Sequence, residues 1–245
     1  GLPILAAVAA ALVPAAAGAA VPVKTVTMAG FKAPGTPAKY NKVFVTKYGP
    51  SKPKRVVVLV PGTSGGAGDF TNVAENVVKN VKGTAVWAID RRSQAIEDTS
   101  KFAEVLANKS HHSPSQLQDD FKSAIGYYLG WFTDPSITKH FQPPKDADYQ
   151  FALDWGLNVT LEDTHRVVQA ARKASGHKVV LGGHSLGGSV VTSYAVWDFK
   201  GKPGYKDLSG LALIDGGGTS TTPADLDTVK TGLQTLKDSK KPWLD

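Results

Sequence analysis

The sequence predicts an α/β protein with a mostly parallel central sheet that is covered by helices on both faces. Strand-like apolar runs alternate with helix-like segments along the chain. The predicted strands 55–60 and 84–89 are continuously apolar after their first residue, which is typical of strands buried on both faces. The length of 245 residues suits one such domain, since single domains of this class reach about 250 residues.

The stretch 179–188 joins one of these strands to a helix. An apolar run of strand length ends at Gly182, a G-x-S-x-G pentapeptide occupies 183–187, and a helix-like segment follows. A turn this sharp strains the backbone of its central residue and leaves no room for side chains at the flanking positions. The pattern therefore predicts that Ser185 is an exposed nucleophile at a helix N-terminus, where backbone amides favour an anion. The alternative is a glycine-rich turn that carries an ordinary serine.

Residues 1–20 are typical of a secretory signal peptide. They form an alanine-rich apolar segment that ends in small residues, and the first charged residue is Lys24. An uncleaved membrane anchor and a buried helix are the alternatives. The segment lacks an initiator Met and a basic start, so we expect the chain to begin inside its reading frame. We expect a secreted or cell-envelope protein without stable membrane insertion after cleavage, and a partial catalytic domain at 21–245.

Composition excludes several classes of site. The chain has no cysteine, which rules out disulfides, thiolate metal sites and a cysteine nucleophile. The net charge is +7, but the Lys and Arg residues are scattered and are not interleaved with aromatic residues, so no nucleic-acid partner is expected. His111 and His112 lack further ligands at helical spacing. We expect neither a metal nor an organic cofactor.

The first half of the chain predicts strands at 41–48, 55–60 and 84–89. The glycine-rich loop 61–68 follows the second strand; it lacks the features of a phosphate-binding loop and fits an oxyanion loop better. A helix is predicted over 69–81, capped by Asp69 and burying one face, which consists of Val73, Val77 and Val81.

The segment 90–178 is longer than a simple crossover between strands requires. It opens with Asp90-Arg91-Arg92, which we interpret as an ion pair that organises the loop, with catalysis as the alternative. An insertion at about 96–158 follows, rich in aromatic residues that could form a lid or pocket wall, or extra core. A helix is predicted over 160–175, beginning with a capping box and stopping at Gly176.

The chain after the Ser185 turn predicts one more strand and one more helix. The strand at 208–214 ends at Asp215. The helix starts with Thr222 as its cap and Pro223 at its first position. One face of this helix is apolar, and it consists of Leu226, Val229, Leu233 and Leu236.

This order of elements resembles the α/β-hydrolase fold, in particular exported bacterial serine hydrolases of the esterase and lipase type, over about 41–218. The resemblance implies that Ser185 is the nucleophile and that the backbone N–H groups of Leu186 and Thr63 form the oxyanion hole. Esterases and lipases of the family usually begin the oxyanion loop with His-Gly, where this chain has Pro-Gly. Asp215 lies where a minority of the family place the triad acid; otherwise it caps the following loop.

The resemblance implies hydrolysis of a small-molecule or lipid-like carboxylic ester through an acyl-enzyme. An acyltransferase on the same fold and a non-catalytic binding protein are the alternatives. The chain order in the family is serine, acid, histidine, yet all six histidines of this sequence precede Ser185. We therefore expect the C-terminal strands and the triad histidine beyond Asp245, and an inactive chain as it stands.

Overall fold

The computed structural model describes residues 20–217 and 225–240. The predicted signal peptide lies outside the described residues, except for its last position, Ala20. Thr222 and Pro223, the predicted start of the last helix, also lie outside them.

The described residues form a six-stranded sheet in the order β1-β2-β4-β3-β5-β6. Strands β4, β3, β5 and β6 run parallel to one another, whereas β2 is antiparallel to β4. This is the mostly parallel sheet that the sequence predicts. The first strand was not predicted, because it is largely exposed and its apolar residues do not mark a buried face. The strands are β1 (Val23–Ala29), β2 (Lys42–Tyr48), β3 (Arg55–Val60), β4 (Thr84–Asp90), β5 (Val179–His184) and β6 (Gly210–Ile214).

The described residues also contain six α-helices and several short 3₁₀ helices. Among the described helices, none combines the length and apolar character that a membrane crossing requires. The α-helices are α1 (Thr71–Asn80), α2 (Ser100–Asn108), α3 (Pro114–Tyr128), α4 (Leu157–Ala174), α5 (Leu186–Val196) and α6 (Leu226–Ser239).

The predicted helix over 69–81 begins later than expected and buries a different face. A 3₁₀ helix, Ala67–Phe70, precedes α1, and Asp69 accepts a hydrogen bond from Gly66 N at 3.2 Å in that turn. Val73 and Val81 are exposed, whereas Ala74 is fully buried. The helical period was right but its phase was wrong, because the packing against the sheet selects the buried face. The core around α1 consists of Tyr48, Leu59, Ala67, Phe70, Ala74, Val86 and Ala88.

Two later helices also begin at residues other than those predicted. Helix α4 begins at Leu157, so the predicted capping residue Thr160 lies inside it and donates its hydroxyl to the Gly156 carbonyl at 3.3 Å. The predicted end of this helix at Gly176 is confirmed, since α4 ends at Ala174 and Gly176 has a positive φ of 59°. Helix α6 is capped by Asp225, which accepts from Thr228 N at 2.9 Å. The four apolar residues that share its predicted face are each more than half exposed.

The chain divides into two compact units. The first contains the described residues up to Thr27, the segment Phe44–Asp90 and the described residues from Val167 to 217. The second contains Met28–Val43, Arg91–Arg166 and the described residues from 225 onward. The predicted nucleophile and its loops therefore belong to the first unit, and the predicted insertion belongs to the second.

A buried ion pair organises the second unit. Arg92 Nε lies 3.0 Å from Asp163 Oδ2, and Arg92 Nη2 lies 2.9 Å from Asp163 Oδ1, with both side chains buried. Arg92 Nη2 also donates to the Phe31 carbonyl at 2.7 Å. The sequence had suggested an ion pair with Asp90. The partner of Arg92 is instead Asp163, which lies 71 residues away in the sequence.

The aromatic residues of the predicted insertion pack on one another inside the second unit. The Trp131 ring stacks on Phe132 at a centroid distance of 4.0 Å and on His140 at 4.3 Å. Tyr128 stacks on Phe102 at 5.1 Å. These ring contacts are compatible with the extra-core interpretation, and each of these rings except Phe132 is partly buried. Phe132 remains 68% exposed.

Candidate active site

Ser185 is held in a strained turn between β5 and α5. Its φ of 51° and ψ of −121° lie outside the regions that non-glycine residues normally adopt. Such a conformation costs about 1–3 kcal/mol and persists only where the surroundings enforce it. Here Ser185 N donates to the Ile214 carbonyl at 3.0 Å, and the Ser185 carbonyl accepts from Gly188 N at 2.8 Å. The strain predicted from the G-x-S-x-G pattern is therefore present in the structure.

The glycines around Ser185 are required by close backbone packing. A β-carbon on Gly183 would overlap the Gly187 carbonyl, and one on Gly187 would overlap the Val60 carbonyl. A β-carbon on Gly188 would lie 2.5 Å from Gly217 N. The first turn of α5 therefore rests directly on the ends of neighbouring strands, and this contact fixes where the helix N-terminus points.

The predicted oxyanion loop lies directly beside the serine. A β-carbon on Gly62 would be 3.1 Å from Ser185 Cβ and 3.1 Å from His184 Nδ1. The loop then forms a tight turn in which Gly65 N donates to the Gly62 carbonyl at 3.2 Å, with Ser64 at a φ of 56°. This turn does not use the N–H of Thr63, an exposed residue.

Leu186 is the first residue of α5. The first N–H groups of a helix have no intrahelical acceptor and carry partial positive charge. The structure thus brings the two predicted oxyanion donors, Leu186 and Thr63, to the edge of the sheet that carries Ser185. Their role as oxyanion donors stays a prediction.

Two carboxylates hold the far end of this loop. Asp90 Oδ1 accepts from Ala67 N at 2.5 Å, and Asp69 Oδ2 accepts from Gly66 N at 3.2 Å. Burial raises the pKa of the Asp90 carboxyl, the Ala67 hydrogen bond partly opposes that rise, and the nearby charge of Asp69 adds to it. The sequence places Asp90 at a strand end, but its bond to Ala67 depends on how the loop folds back.

Asp215 lies at the same edge of the sheet as Ser185. It follows β6 directly, and the pairing of His184 with Ile214 aligns the ends of the two strands. Its backbone has a φ of 48°, and its side chain is exposed. The next residue, Gly216, approaches the Ser185 backbone so closely that a β-carbon there would overlap the Ser185 carbonyl. The placement of Asp215 is compatible with a triad acid, whose role stays a prediction.

The first unit contains two histidines, and neither is placed as a base for Ser185. His177 precedes β5, so it lies at the opposite end of that six-residue strand, about 20 Å away at roughly 3.3 Å per residue. His184 packs its imidazole against Gly62, in the space beside the oxyanion loop. The other four histidines belong to the second unit: His111, His112, His140 and His165.

The described residues contain no group of three metal-ligating side chains. His112, for which the sequence suggested no carboxylate neighbour, pairs through Nδ1 with Asp120 Oδ2 at 2.8 Å. One carboxylate and one imidazole do not make a metal site.

Comparison with known proteins places this geometry in a family. The model of the alpha/beta hydrolase family matches residues 57–239, which include the predicted oxyanion loop and the Ser185 turn. A search of curated protein sequences finds no match.

Solved structures of similar fold include several hydrolases. A candidate lipase from Sulfolobus solfataricus has a TM-score of 0.51 at 18% identity, over 83% of this chain and 49% of that chain. A thermostable carboxyl esterase from Bacillus coagulans has a TM-score of 0.45 at 17% identity, over 89% and 51% of the two chains. This chain therefore spans about half the length of these two proteins. The first likeness agrees with the predicted α/β-hydrolase fold.

The packing around the turn predicts the effect of adding one methyl group. We expect Gly187→Ala to lower the free energy of unfolding by at least about 3 kcal/mol, because the new β-carbon overlaps the Val60 carbonyl. Gly126→Ala is the matched control: it also lies in a helix, α3, and its β-carbon would meet no atom within 4 Å.

The control should stabilise the protein by about 0.5–1 kcal/mol, since alanine favours a helix more than glycine does. Urea unfolding followed by circular dichroism measures both values. A Gly187→Ala protein as stable as the wild type would contradict the close contact.

Proposed function

Since this chain belongs to the alpha/beta hydrolase family, we propose that it is a serine hydrolase of carboxylic esters with Ser185 as its nucleophile. The observation that carries the proposal is the strained conformation of Ser185 at the N-terminus of α5, next to the Gly62 loop. An ordinary loop serine would relax to an unstrained backbone. The strain aims the hydroxyl out of the turn and towards a substrate.

The proposed reaction has two steps. In the first, Ser185 Oγ attacks the ester carbonyl carbon while a base accepts its proton, and the carbonyl oxygen becomes an oxyanion. The N–H groups of Leu186 and Thr63 donate to that oxyanion, and each such donor is worth about 3 kcal/mol of transition-state stabilisation. The C–O bond to the alcohol then breaks, and the alcohol leaves with the proton.

In the second step, water attacks the acyl-enzyme. The base removes a proton from the water, a second oxyanion forms in the same hole, and the bond to Ser185 Oγ breaks to release the carboxylic acid. The serine recovers its proton. No metal or organic cofactor takes part in this scheme. Asp215 is our candidate for the acid that orients the base, since it lies at the same sheet edge.

Replacing the nucleophile tests this proposal directly. We expect Ser185→Ala, in the protein expressed from its complete reading frame, to lose nearly all turnover of p-nitrophenyl esters. Only the acceleration of about 10³–10⁴ over water that binding and an oxyanion hole supply should remain.

A fluorophosphonate probe adds a covalent readout. The wild-type protein should be labelled at Ser185, as located by peptide mass spectrometry, and Ser185→Ala should not be labelled. Ser189→Ala, which changes a serine on the next turn of the helix, is the control and should keep wild-type turnover. Wild-type rates in Ser185→Ala would exclude this nucleophile, and absence of labelling in the wild type would favour a binding protein.

The catalytic base is the second part of the proposal. The two histidines of the first unit lie at the far end of β5 or beside Gly62. We propose that residues 21–245 alone do not supply the base. A serine hydroxyl without a base is a weak nucleophile, and loss of one triad member costs on the order of 10⁴–10⁶ in rate.

We therefore expect purified residues 21–245 to show no ester turnover above the same chain with Ser185→Ala. Circular dichroism must first show that both chains are folded. Robust turnover would mean that a base lies within these residues. His140→Ala is then the first variant to measure, because Nδ1 of His140 is already hydrogen bonded to the Phe141 carbonyl at 2.8 Å, which leaves Nε2 as the proton acceptor.

The insertion offers a further test, on substrate choice. Phe132 and Trp131 line a groove of about 530 Å³. Most of its other lining residues are apolar or aromatic, and the rest are polar. If the insertion contacts the acyl group, Phe132→Ala should change the preference among p-nitrophenyl esters of different chain length. Its melting temperature should stay within about 2 °C of the wild type, because the ring is largely exposed.

Phe102→Ala is the control, because Phe102 stacks on Tyr128 inside the same unit. It should lower the melting temperature without changing the preference. An unchanged chain-length profile in Phe132→Ala would assign the insertion aromatics to the core alone.

A further inference from the structure

We propose that Asp90 is a positioning residue for the reaction: its carboxylate fixes the end of the loop 61–67 and thereby the oxyanion donor at Thr63. The inference rests on the proposed function, because the loop matters only if an oxyanion forms beside Ser185. Asp90 itself touches neither substrate nor nucleophile in this proposal. It acts through the loop backbone.

The start of the loop is fixed by the sheet. Strand β3 ends at Val60, which pairs with Gly183 of β5. Gly62 then packs within contact of Ser185. The first residues of the loop therefore move only if the sheet moves.

The end of the loop is fixed by side chains. The Ala67 amide donates to Asp90 Oδ1 at 2.5 Å, and Asp90 is the last residue of β4, so this bond ties the loop to the sheet a second time. Gly66 N donates to Asp69 Oδ2 at 3.2 Å, but Asp69 is an exposed residue of the adjoining 3₁₀ turn, so that bond stays local. Asp90 is thus the acceptor that links the loop end to the sheet.

The distance between these two anchors is short. Only the residues from Pro61 to Gly66 lie between them, and they include the tight turn that carries Thr63. Oxyanion donors work at about 2.7–3.1 Å from the oxygen, and a misplacement of about 1 Å can cost 10²-fold in rate. A displacement of Ala67 would therefore move the Thr63 N–H relative to the oxyanion.

Burial of the neighbouring side chains keeps the fold intact without Asp90. Ala67 and Phe70 lie in the hydrophobic core with Leu59 and Val86. These contacts do not depend on the Asp90 carboxylate. We therefore expect variants of Asp90 to fold and to differ from the wild type in the precision of the loop.

The test measures ester turnover of Asp90 variants in the protein expressed from its complete reading frame. We expect Asp90→Ala to lower kcat by about tenfold or more with KM within about twofold, because the loop serves the transition state and not substrate binding. Asp90→Asn should stay within about threefold of wild-type kcat, since its amide oxygen accepts the same bond from Ala67.

Asp90→Glu separates geometry from charge. It keeps the negative charge but moves the carboxylate by one methylene, so it should lose kcat about as strongly as Asp90→Ala. Were the charge the important property, glutamate would work better than asparagine. The proposal is overturned if Asp90→Glu has a higher kcat than Asp90→Asn, or if the kcat of Asp90→Asn is as low as that of Asp90→Ala. Asp90→Glu also keeps the test decisive should Asp90→Ala fail to fold.

A boronic acid inhibitor reports on the oxyanion hole itself. Phenylboronic acid adds to a serine oxygen, and its tetrahedral boronate places an oxygen where the oxyanion would be. Its inhibition constant should rise in Asp90→Ala by the same factor as kcat falls and stay near the wild-type value in Asp90→Asn. An unchanged inhibition constant in Asp90→Ala would refute the positioning role.

Asp207→Ala is the control for stability. Asp207 is another buried carboxylate of the first unit, bound by Gln169, Arg172 and Lys202 away from the loop. Its loss should lower the melting temperature and leave kcat unchanged. Wild-type kcat in Asp90→Ala together with an inactive Ser185→Ala would refute the positioning role and leave the proposed function standing. An active Ser185→Ala would refute the function.

Discussion

The close approach of α5 to the end of β3 and to the segment that follows β6 is the constraint on which the first unit depends. The backbone of Gly187 meets the Val60 carbonyl, and that of Gly188 meets Gly217, with no space for a β-carbon at either glycine. This contact places the N-terminus of the helix over the edge of the sheet. The position of Ser185, the direction of the helix dipole and the proximity of the Gly62 loop all follow from it.

The strained conformation of Ser185 persists because the surrounding strands hold the turn in place. Strand β5 is paired with β3 on one side and β6 on the other, and its residues Val179 and Leu181 are fully buried. A cost of about 1–3 kcal/mol at one residue is small compared with the burial that holds these strands. The energy of the core therefore supports a conformation that an isolated peptide would not adopt.

Several properties of this protein were determined by local sequence. The apolar runs identified β3 and β4 almost to the residue, because strands buried on both faces carry polar residues mainly at their ends. The pentapeptide at 183–187 predicted the strained turn, because only glycine tolerates such close packing. The α/β-hydrolase fold followed from the order of these elements. The strand β1 was missed because only Val26 and Met28 are even partly buried, so its alternation is too short to stand out.

Other properties were decided only by tertiary structure, because they join residues that are distant in the sequence. The phase of α1 was set by packing on the sheet, which buries Ala74 and exposes Val73. Arg92 pairs with Asp163 across 71 residues, and the carboxylate of Asp90 reaches the Ala67 amide across 23. Periodicity and spacing report on neighbours within a few residues. The partner of a buried charge or of a loop amide is chosen by the three-dimensional fold, which desolvates the group and requires a hydrogen bond there.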